Sequence, residues 1–241
     1  MMEIAEWQWA ITDLIIPPVC AGCGVLGARW CRQCQFETRL LTQNICLLCG
    51  RPWTLPGKCN TCQANPPIFH SARAHAVYAA PFRNLIVELK YRGSRNLGGL
   101  VAEIVATDPA LSTWQIDLAL PVPLSQQREG ERGYNQVDLF ARPLCRRFAI
   151  NYSRAALTRS RHTQSQVGMN GHQRRRNLRN AFTASPSLVA GKRILVFDDV
   201  YTTGSTTIEC ARALLGAGAL HVMVYSLARA MGSQHELAEI A

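Results

Sequence analysis

The chain is 241 residues long, with 48% hydrophobic and 17% charged residues, a composition that excludes an extensively disordered protein and predicts a globular one. The length allows one large domain or two unequal domains. The formal net charge is +10, and residues 128–182 carry most of it, because they contain 12 arginines against three acidic residues.

The N-terminal segment, residues 3–16, predicts a short amphipathic helix that ends at two prolines. A helix lying on a membrane surface is the alternative, and the acidic residues on its polar face disfavour binding to anionic lipid. The start of the chain is acidic where a signal peptide would be basic, and the chain has no run of 18 apolar residues. We therefore expect a cytoplasmic protein.

Eight of the ten cysteines follow as four CxxC pairs. In a reducing compartment such pairs indicate metal binding rather than disulfides, and zinc takes four thiolates in a tetrahedron. Gly24 and Gly50, each directly after a pair, allow the positive φ that such turns often need. An iron–sulfur cluster or a redox dithiol is the alternative chemistry. The predicted zinc ligands are Cys20, Cys23, Cys31, Cys34, Cys46, Cys49, Cys59 and Cys62.

The spacing of these pairs predicts two zinc ions. Seven residues separate the first two pairs and nine separate the last two. Neighbouring pairs that share one ion, giving two stacked ribbons, are our prediction, and a cross-braced arrangement is the alternative. Residues 63–70 are interpreted as the linker out of this module, which places the domains at 1–68 and 69–241.

The second domain begins with strand character over residues 70–80, followed by a helix from Pro81 and a second helix over about 96–107. Lys90 and Arg92, at the end of the first helix, are interpreted as solvated cations favoured by the helix dipole. Cys145 and Cys210 lie on apolar helix faces and are expected to be buried and inert.

A buried strand over residues 116–120 runs into Pro121-Val122-Pro123, a rigid turn in which a cis bond is one option. A helix then extends to about Phe148. Arg128 and Arg132, just past the turn, could hold a diphosphate through bidentate contacts. An exposed basic loop is the alternative.

Residues 159–182 combine a polar, Gly-containing first half with an Arg-rich half that we predict to be helical. A polar connection of this length between core elements is typical of a lid or a binding loop. Spacing places Arg174 and Asn177 on one helical face, and Arg175, Arg176 and Arg179 mostly on another. That second face suits the phosphates of a nucleic acid strand, and a solvated helix face is the alternative.

The stretch 194–219 organises the domain. Ile194 to Phe197 predict a buried strand, and it runs into Asp198 and Asp199, a hydroxyl-rich loop and a helix from about Thr206. Unpaired N–H groups at a helix start favour a phosphate, and Gly204 lets the backbone close around it. Two carboxylates beside that phosphate suit the vicinal hydroxyls of a sugar. This pattern therefore indicates a site for ribose 5-phosphate. An ordinary strand-to-helix turn of an open α/β sheet, with solvated acids at its edge, is the alternative.

These segments together resemble the ComF/GntX family. The resemblance spans the chain: the CxxC pairs, LKYRG at 89–93, PVPLS with RGYNQ at 121–136, the segment ending in RNLRNAF, and DDVYTTGST at 198–206. It implies an α/β type I phosphoribosyltransferase fold, a mostly parallel open sheet flanked by helices, with an N-terminal cysteine-rich zinc ribbon module. Met169, where the family usually has Leu, and Gly168 beside Asn170-Gly171 depart from its pattern.

The resemblance also implies site residues for phosphoribosyl pyrophosphate (PRPP) and Mg²⁺. Residues 161–177 would form a mobile loop that closes over PRPP, with catalytic roles for Arg161, Thr163, Gln166, Arg174 and Asn177. The residues that would contact PRPP are Asp198, Asp199, Thr202, Thr203, Gly204, Ser205, Thr206, Pro123, Leu124, Ser125, Arg128 and Arg132.

The function that this resemblance implies is Mg²⁺-dependent phosphoribosyl transfer from PRPP to an acceptor that the sequence does not identify. Members of the family are associated with natural transformation, in which single-stranded DNA is handled in the cytoplasm beside a helicase-like ATPase. The alternative is a non-catalytic accessory protein that senses PRPP and binds DNA or the helicase. Release of pyrophosphate distinguishes the two.

Overall fold

The computed structural model describes residues 17–91, 95–159 and 178–231. The helix predicted over 3–16 and the segment 160–177 lie outside these ranges. Within them, no helix is long and apolar enough to cross a membrane.

Six strands and nine helices follow one another in the described residues. The strands are β1 Ser71–Val77, β2 Leu118–Pro121, β3 Leu157–Arg159, β4 Phe182–Ala184, β5 Arg193–Tyr201 and β6 His221–Arg229. The first helices are α1 Arg32–Glu37, α2 Asn60–Ala64, α3 Phe82–Tyr91, α4 Arg95–Val105 and α5 Pro109–Thr113. The later helices are α6 Gln126–Arg132, α7 Gln136–Arg147, α8 Pro186–Val189 and α9 Ser205–Gly216.

Four of the strands form a parallel sheet in the order β1-β6-β5-β2. Parallel strands are buried on both faces, which explains their nearly continuous apolar runs. Helices α3, α4 and α7 cover one face with side chains such as Leu85 and Phe140, and α9 covers the other with Leu214. The prediction of a mostly parallel open sheet flanked by helices is confirmed.

The register of β2 and β5 determines where their loops meet. Pro121 pairs with Phe197, so the turn after β2 and the acidic end of β5 emerge at the same edge of the sheet. Strand β5 extends beyond its predicted end at Phe197, because Asp198 and Val200 still pair with β6. The acids therefore belong to the last part of a strand, which fixes their backbone.

Two local predictions were wrong or incomplete. Among the described residues the cis peptide bond lies at Ala80-Pro81 and not in the Pro121–Pro123 turn. The antiparallel pair of β3 and β4 was not predicted, because strands of three residues are too short to show an alternating pattern.

Residues of the cysteine-rich module extend the sheet at its β1 edge. Leu40 forms an antiparallel bridge with Ala76, and the Leu41 N–H donates to the His75 carbonyl at 2.8 Å. Farther along the same strand, the Ala72 N–H donates to the Leu48 carbonyl at 2.7 Å. The module thus covers an edge strand that would otherwise expose unpaired backbone groups.

Candidate functional site

The eight paired cysteines form two compact clusters, each made from neighbouring pairs. In each cluster all four sulfur atoms lie within 4.8 Å of one another. The sulfurs of Cys20 and Cys34 are 3.6 Å apart, and those of Cys49 and Cys59 are 3.8 Å apart. A tetrahedron with zinc–sulfur bonds of about 2.3 Å has edges of about 3.8 Å, so both clusters fit a structural zinc site. The predicted pairing is confirmed.

Backbone N–H groups donate hydrogen bonds to cysteine sulfurs in both clusters. The Cys31 N–H donates to the Cys20 sulfur at 3.4 Å, and the Cys59 N–H donates to the Cys46 sulfur at 3.2 Å. Such bonds favour the thiolate form that zinc requires. Gly24 and Gly50 have φ of +80° and +68°, as their positions after a CxxC pair predicted.

The remaining cysteines, Cys145 and Cys210, are buried as expected, with 1% and 0% exposure. Burial raises the pKa of the Cys145 thiol to about 12 and also raises the pKa of Cys210. Both thiols are therefore protonated and unreactive at neutral pH.

The turn after β2 and the end of β5 border a cleft of about 420 Å³ at the carboxyl edge of the sheet. We call it the sheet-edge cleft. Most of the residues predicted to contact PRPP line it: Pro123, Leu124, Arg128, Arg132, Asp198, Asp199, Thr202 and Thr206. Four polar side chains that were not predicted as site residues also line it: Tyr78, Lys90, Gln136 and Arg159.

Asp199 is held by two of these additional residues. The Lys90 ammonium lies 3.1 Å from its Oδ2, and the Gln136 side-chain amide donates to the same oxygen. The Lys90 side chain is only 16% exposed, so the interpretation of Lys90 as a solvated helix-end cation was wrong. Its helix points the ammonium into the cleft, where it partly offsets two adjacent carboxylates. Arg92, which was interpreted in the same way, lies outside the described residues.

Asp198 has a different environment. Its Oδ1 accepts a hydrogen bond of 2.9 Å from the Asp199 N–H. Burial, and then the neighbouring charge of Asp199, raise the pKa of Asp198 to about 7. Ionising this carboxyl group in the protein alone is therefore costly, and a ligand that donates hydrogen bonds to it would favour the charged form.

The loop from Thr202 to Gly204 leads directly into helix α9. Gly204 occupies the N-terminal cap position with φ of +74°, and no side chain caps the helix there. A Cβ atom at Gly204 would lie 2.2 Å from the Tyr201 hydroxyl oxygen, so only glycine fits. Thr203 Oγ1 lies 2.8 Å from Ser205 Oγ. The Ser205 N–H donates to Thr203 Oγ1 at 3.4 Å. The other N–H groups of the first turn, together with the loop hydroxyls, suit a phosphate.

The residues RGYNQ position the other wall of the cleft. Gly133 ends helix α6 with φ of +71°. The Tyr134 hydroxyl donates to the Leu89 carbonyl at 3.0 Å, next to Lys90. The Asn135 amide donates to the Val122 carbonyl at 3.0 Å, and its oxygen accepts from the Val137 N–H. Gln136 then reaches Asp199. One short motif thus connects α3, the turn after β2 and β5.

Of the predicted diphosphate ligands, Arg128 and Arg132 line the cleft. Arg132 also donates to Gln136 Oε1 at 2.8 Å and lies over the Tyr91 ring. Ser125 caps helix α6, since its oxygen accepts from the Arg128 N–H at 3.4 Å.

Several predicted residues lie outside the described ranges: Arg161, Thr163, Gln166, Arg174, Arg175, Arg176 and Asn177. Arg179 is described, and it is exposed in a turn at 179–180 rather than on a helix. Arg179 directly follows the helical residue Leu178, and Asn180, with φ of +55°, ends the helix there. The predicted face with Arg175 and Arg176 lies mostly outside the described residues and stays a prediction.

The residues that were missed gave different signals in the sequence. Lys90 and Gln136 stand in the motifs LKYRG and RGYNQ, so their motifs were noted although their contacts with Asp199 were not. Tyr78 directly follows β1, at the edge of the parallel sheet where ligand-binding residues are expected. Arg159 ends β3, a strand of the separate antiparallel pair that was not predicted, so it carried no such signal in the sequence.

A parallel sheet with an acidic, phosphate-suited edge and an N-terminal pair of four-cysteine clusters defines an open-sheet α/β protein with a double zinc ribbon. A family model described as "Double zinc ribbon domain" matches residues 11–64.

Relatives match nearly the whole chain. The DNA utilization protein YhgH of Escherichia coli K12 is 35% identical over 90% of this chain and 100% of its own length. Competence protein F of Haemophilus influenzae is 30% identical over 88% of this chain and 90% of its own. Competence protein ComFC of Bacillus subtilis is 26% identical, and the match covers 83% of each chain. The chain belongs to the same family as these proteins, the ComF/GntX family.

Solved structures give more distant matches. An adenine phosphoribosyltransferase from Thermoanaerobacter pseudethanolicus is 15% identical with a TM-score of 0.36, covering 56% of this chain and 82% of that chain. A glutamine PRPP amidotransferase from B. subtilis, in complex with ADP and GMP, is 20% identical with a TM-score of 0.36, covering 56% of this chain and 26% of that longer one.

Proposed function

We propose that this chain binds PRPP with Mg²⁺ in the sheet-edge cleft and transfers its phosphoribosyl group to an acceptor. The observation that carries the proposal is the convergence in one cleft of Asp198 and Asp199, of Thr202 and Thr206 from the loop and helix start, and of the Pro123 turn with Arg128 and Arg132. Each part suits one part of PRPP: acids for the ribose hydroxyls, the helix start for the 5-phosphate, and arginines for the diphosphate.

The two acids are not equivalent in this proposal. Asp199 Oδ2 already accepts hydrogen bonds from Lys90 and Gln136, which leaves fewer of its lone pairs for a ligand. Asp198 accepts only a backbone N–H among the described hydrogen bonds. We therefore assign Asp198 the main contact with the ribose hydroxyls, with Asp199 oriented beside it.

The reaction would be displacement at the anomeric carbon, with the diphosphate leaving. Arg128 and Arg132 would stabilise the negative charge that develops on the leaving group. The carboxylates beside the ribose would favour a transition state with positive charge on the sugar. Arg161, Thr163, Gln166, Arg174 and Asn177 are proposed to act from a loop that closes over the ligand.

The oxygen-rich donor set fits Mg²⁺, which prefers hard oxygen ligands and is usually held by one or two carboxylates together with phosphates of the substrate. Asp198, whose carboxylate lines the cleft, is the residue that could contact the ion. When bound, Mg²⁺ would supply positive charge to the diphosphate. Asp199 is less suited to this contact because it is paired with Lys90.

A second candidate is a PRPP-binding accessory protein without turnover. The names of its relatives support it, since one is called a DNA utilization protein and others are called competence proteins. In this reading the protein acts on imported single-stranded DNA in the cytoplasm, beside a helicase-like ATPase, and Arg175, Arg176 and Arg179 contact the strand. PRPP would then serve as a regulatory ligand.

The first test is PRPP binding by calorimetry with and without Mg²⁺. Each hydrogen bond to a charged group contributes about 1.5–3 kcal/mol, so the double variant Asp198→Ala, Asp199→Ala should lose at least about tenfold in affinity. Glu131→Gln, an exposed acid outside the cleft, is the control and should bind like the wild type. Unchanged affinity in the double variant would contradict the assignment of this site.

The second test separates the two candidates. The protein is incubated with PRPP, Mg²⁺ and a panel of nitrogen bases and amines, and released pyrophosphate is measured. Acceptor-dependent release supports the transferase. Tight PRPP binding without release across the panel supports the accessory protein.

A further inference from the structure

A second crevice, of about 560 Å³, lies between the second cysteine cluster and the sheet. We call it the ribbon crevice. On one side are Arg51 and residues 65–68, which lead out of the zinc module, and on the other are the Thr202-Thr203 loop and helix α9. Thr202 also lines the sheet-edge cleft, so the two cavities adjoin through that loop.

The ribbon crevice is rich in arginine. Arg51, Arg212 and Arg229 line it, and its lining contains no aspartate or glutamate. Arg229 is only 6% exposed, and its Nη1 donates to the Cys49 carbonyl at 2.8 Å. Its guanidinium lies 4.6 Å from the centre of the Tyr201 ring. Burial, before any other cause, raises the pKa of Tyr201 to about 12, so this phenol stays neutral and does not cancel the arginine charge.

The wall nearest the zinc module carries negative charge that opposes these cations. Two cysteines of the second cluster, Cys49 and Cys62, also line the crevice. Four thiolates around one Zn²⁺ leave that cluster a formal charge of −2. The three arginines outweigh it, so the crevice keeps a small net positive charge and favours an anion that contacts the arginines.

Arg212 has a different environment from Arg229. Arg212 is at the rim, where its side chain is 57% exposed and its Nε lies 3.4 Å from Glu209 Oε1. Glu209 itself is not among the lining residues. The buried Arg229 and the exposed Arg212 would together favour a ligand whose anionic group enters the crevice first.

The lining contains both polar and apolar groups. Thr61, Asn65, Thr202 and Thr203 offer hydrogen-bonding groups, whereas Pro66, Pro67, Ile68 and Ile208 offer an apolar surface. The volume exceeds what a phosphate ion needs and lies in the range of small-molecule sites. A ligand that fills this space would combine an anionic group with an apolar one.

We propose that the ribbon crevice is a second ligand site, for a nucleoside monophosphate. The phosphate lies among Arg51, Arg212 and Arg229, and the planar base lies against Ile68 and Ile208. This site goes beyond the proposed PRPP cleft and does not require that PRPP be bound or consumed. Because the loop at Thr202 borders both cavities, occupancy of the ribbon crevice also orders the loop that the PRPP phosphate would use.

The test is a calorimetric titration of the full-length, zinc-loaded protein with adenosine 5′-monophosphate (AMP), and separately with inorganic phosphate. AMP resembles part of the proposed PRPP complex, so the titration is also run on the Asp198→Ala, Asp199→Ala variant. Even if AMP also enters the sheet-edge cleft, we expect that variant to keep the AMP binding that depends on Arg51 and Arg212. The variant Arg51→Gln, Arg212→Gln should lose AMP affinity by about tenfold or more, since it removes two charged contacts.

The control for surface charge is Arg146→Gln, Arg147→Gln, because both arginines are exposed on α7, away from the crevice. It should bind AMP normally. The Arg51, Arg212 variant should keep its PRPP affinity, which separates failure of this proposal from failure of the PRPP assignment. Circular dichroism and zinc content check that each variant is folded.

Three results would overturn the proposal. AMP affinity that falls in the Asp198, Asp199 variant but not in the Arg51, Arg212 variant would place AMP in the sheet-edge cleft alone. Binding of a ten-nucleotide single strand that depends on Arg51 and Arg212, with no binding of AMP, would assign the crevice to a nucleic acid strand. Inorganic phosphate binding without AMP binding would show that the apolar half recognises no base.

Discussion

The two cysteine clusters come from the same sequence pattern and lie in different surroundings. In the first cluster Cys23 is exposed and Cys31 is partly exposed, whereas all four cysteines of the second cluster are buried. The zinc chemistry is the same, so the difference lies in what each ribbon packs against. Local spacing therefore specifies a metal site, and the rest of the chain decides how deeply it is built into the protein.

The contacts of the first ribbon are with the start of helix α3. The Asn84 amide donates to the Gly22 carbonyl at 2.7 Å, and the Trp30 ring packs edge-on against Phe82. The second ribbon instead contacts the sheet itself. Leu48 accepts from the Ala72 N–H, and Cys49 accepts from Arg229, which lies against Tyr201 beside the phosphate-suited loop. Loss of the second ribbon should therefore affect the sheet-edge cleft more than loss of the first.

The largest difference is expected from removing one zinc ligand in each cluster. Cys59→Ser should release the second zinc and cost about 4 kcal/mol or more, or roughly 8–16 °C in Tm, and should weaken PRPP binding. Cys31→Ser should unfold the first ribbon and weaken PRPP binding at most slightly. Metal analysis should give two zinc ions for the wild type and one for each variant. Equal losses of PRPP affinity would break the comparison.

The glycine after the first CxxC pair of each ribbon provides a smaller and cleaner contrast. Alanine at Gly50 would place Cβ 2.4 Å from the Ala72 carbonyl oxygen, whereas a Cβ at Gly24 meets nothing within 4 Å. Both have positive φ, which costs an alanine about 1 kcal/mol or somewhat more. Gly24→Ala should show that cost alone, and Gly50→Ala about 3 kcal/mol because the backbone must also shift. Urea unfolding measures the stability of both variants. Equal losses of stability would mean that the backbone at Ala72 shifts at no measurable cost.

The side chains that attach each ribbon form the next pair. Arg229→Met removes a charge-assisted hydrogen bond and a contact with the Tyr201 ring, at a cost of about 2–3 kcal/mol. Asn84→Ala removes one neutral hydrogen bond, at about 1 kcal/mol. Thermal unfolding compares them. A larger loss from Asn84→Ala would reverse the order that we assign to the two attachments.

The last prediction concerns Asp198 and serves as a reference outside both ribbons. Its pKa is raised to about 7 from an ordinary value of 3.8, so the folded protein binds this proton more tightly than the unfolded chain does. Stability should therefore fall as pH rises from about 4 to above 7. Asp198→Asn removes this loss and should be more stable than the wild type at pH 8, on the order of 1–3 kcal/mol, but not at pH 4.

Urea midpoints at the two pH values test this prediction. An equal advantage for Asp198→Asn at both would show that the carboxyl group does not titrate in this range. The effect should also add to that of Gly24→Ala, because the two sites share no described contact.

Much of the fold could be predicted because its signals are local. The apolar run before Asp198 predicted a buried strand. A helix was predicted from Pro81, and four of its apolar residues, at helical spacing, are buried: Phe82, Leu85, Ile86 and Leu89. The pairing of neighbouring CxxC turns was also predicted, since seven or nine residues can close a ribbon on itself. Such patterns depend on periodicity and short loops, which are properties of a few consecutive residues.

The sequence by itself determined the two metal sites, the parallel sheet and the acid pair followed by a phosphate-suited loop. Only the tertiary structure decided which ribbon lies against that loop and which side chains hold the acids. Gln136 and Asp199 are 63 residues apart, and Arg229 and Cys49 are 180 apart. Lys90 resembled any cation at a helix end until the packing of α3 placed it 3.1 Å from Asp199. Contacts over such separations depend on the register and packing of whole elements, which no local pattern of residues encodes.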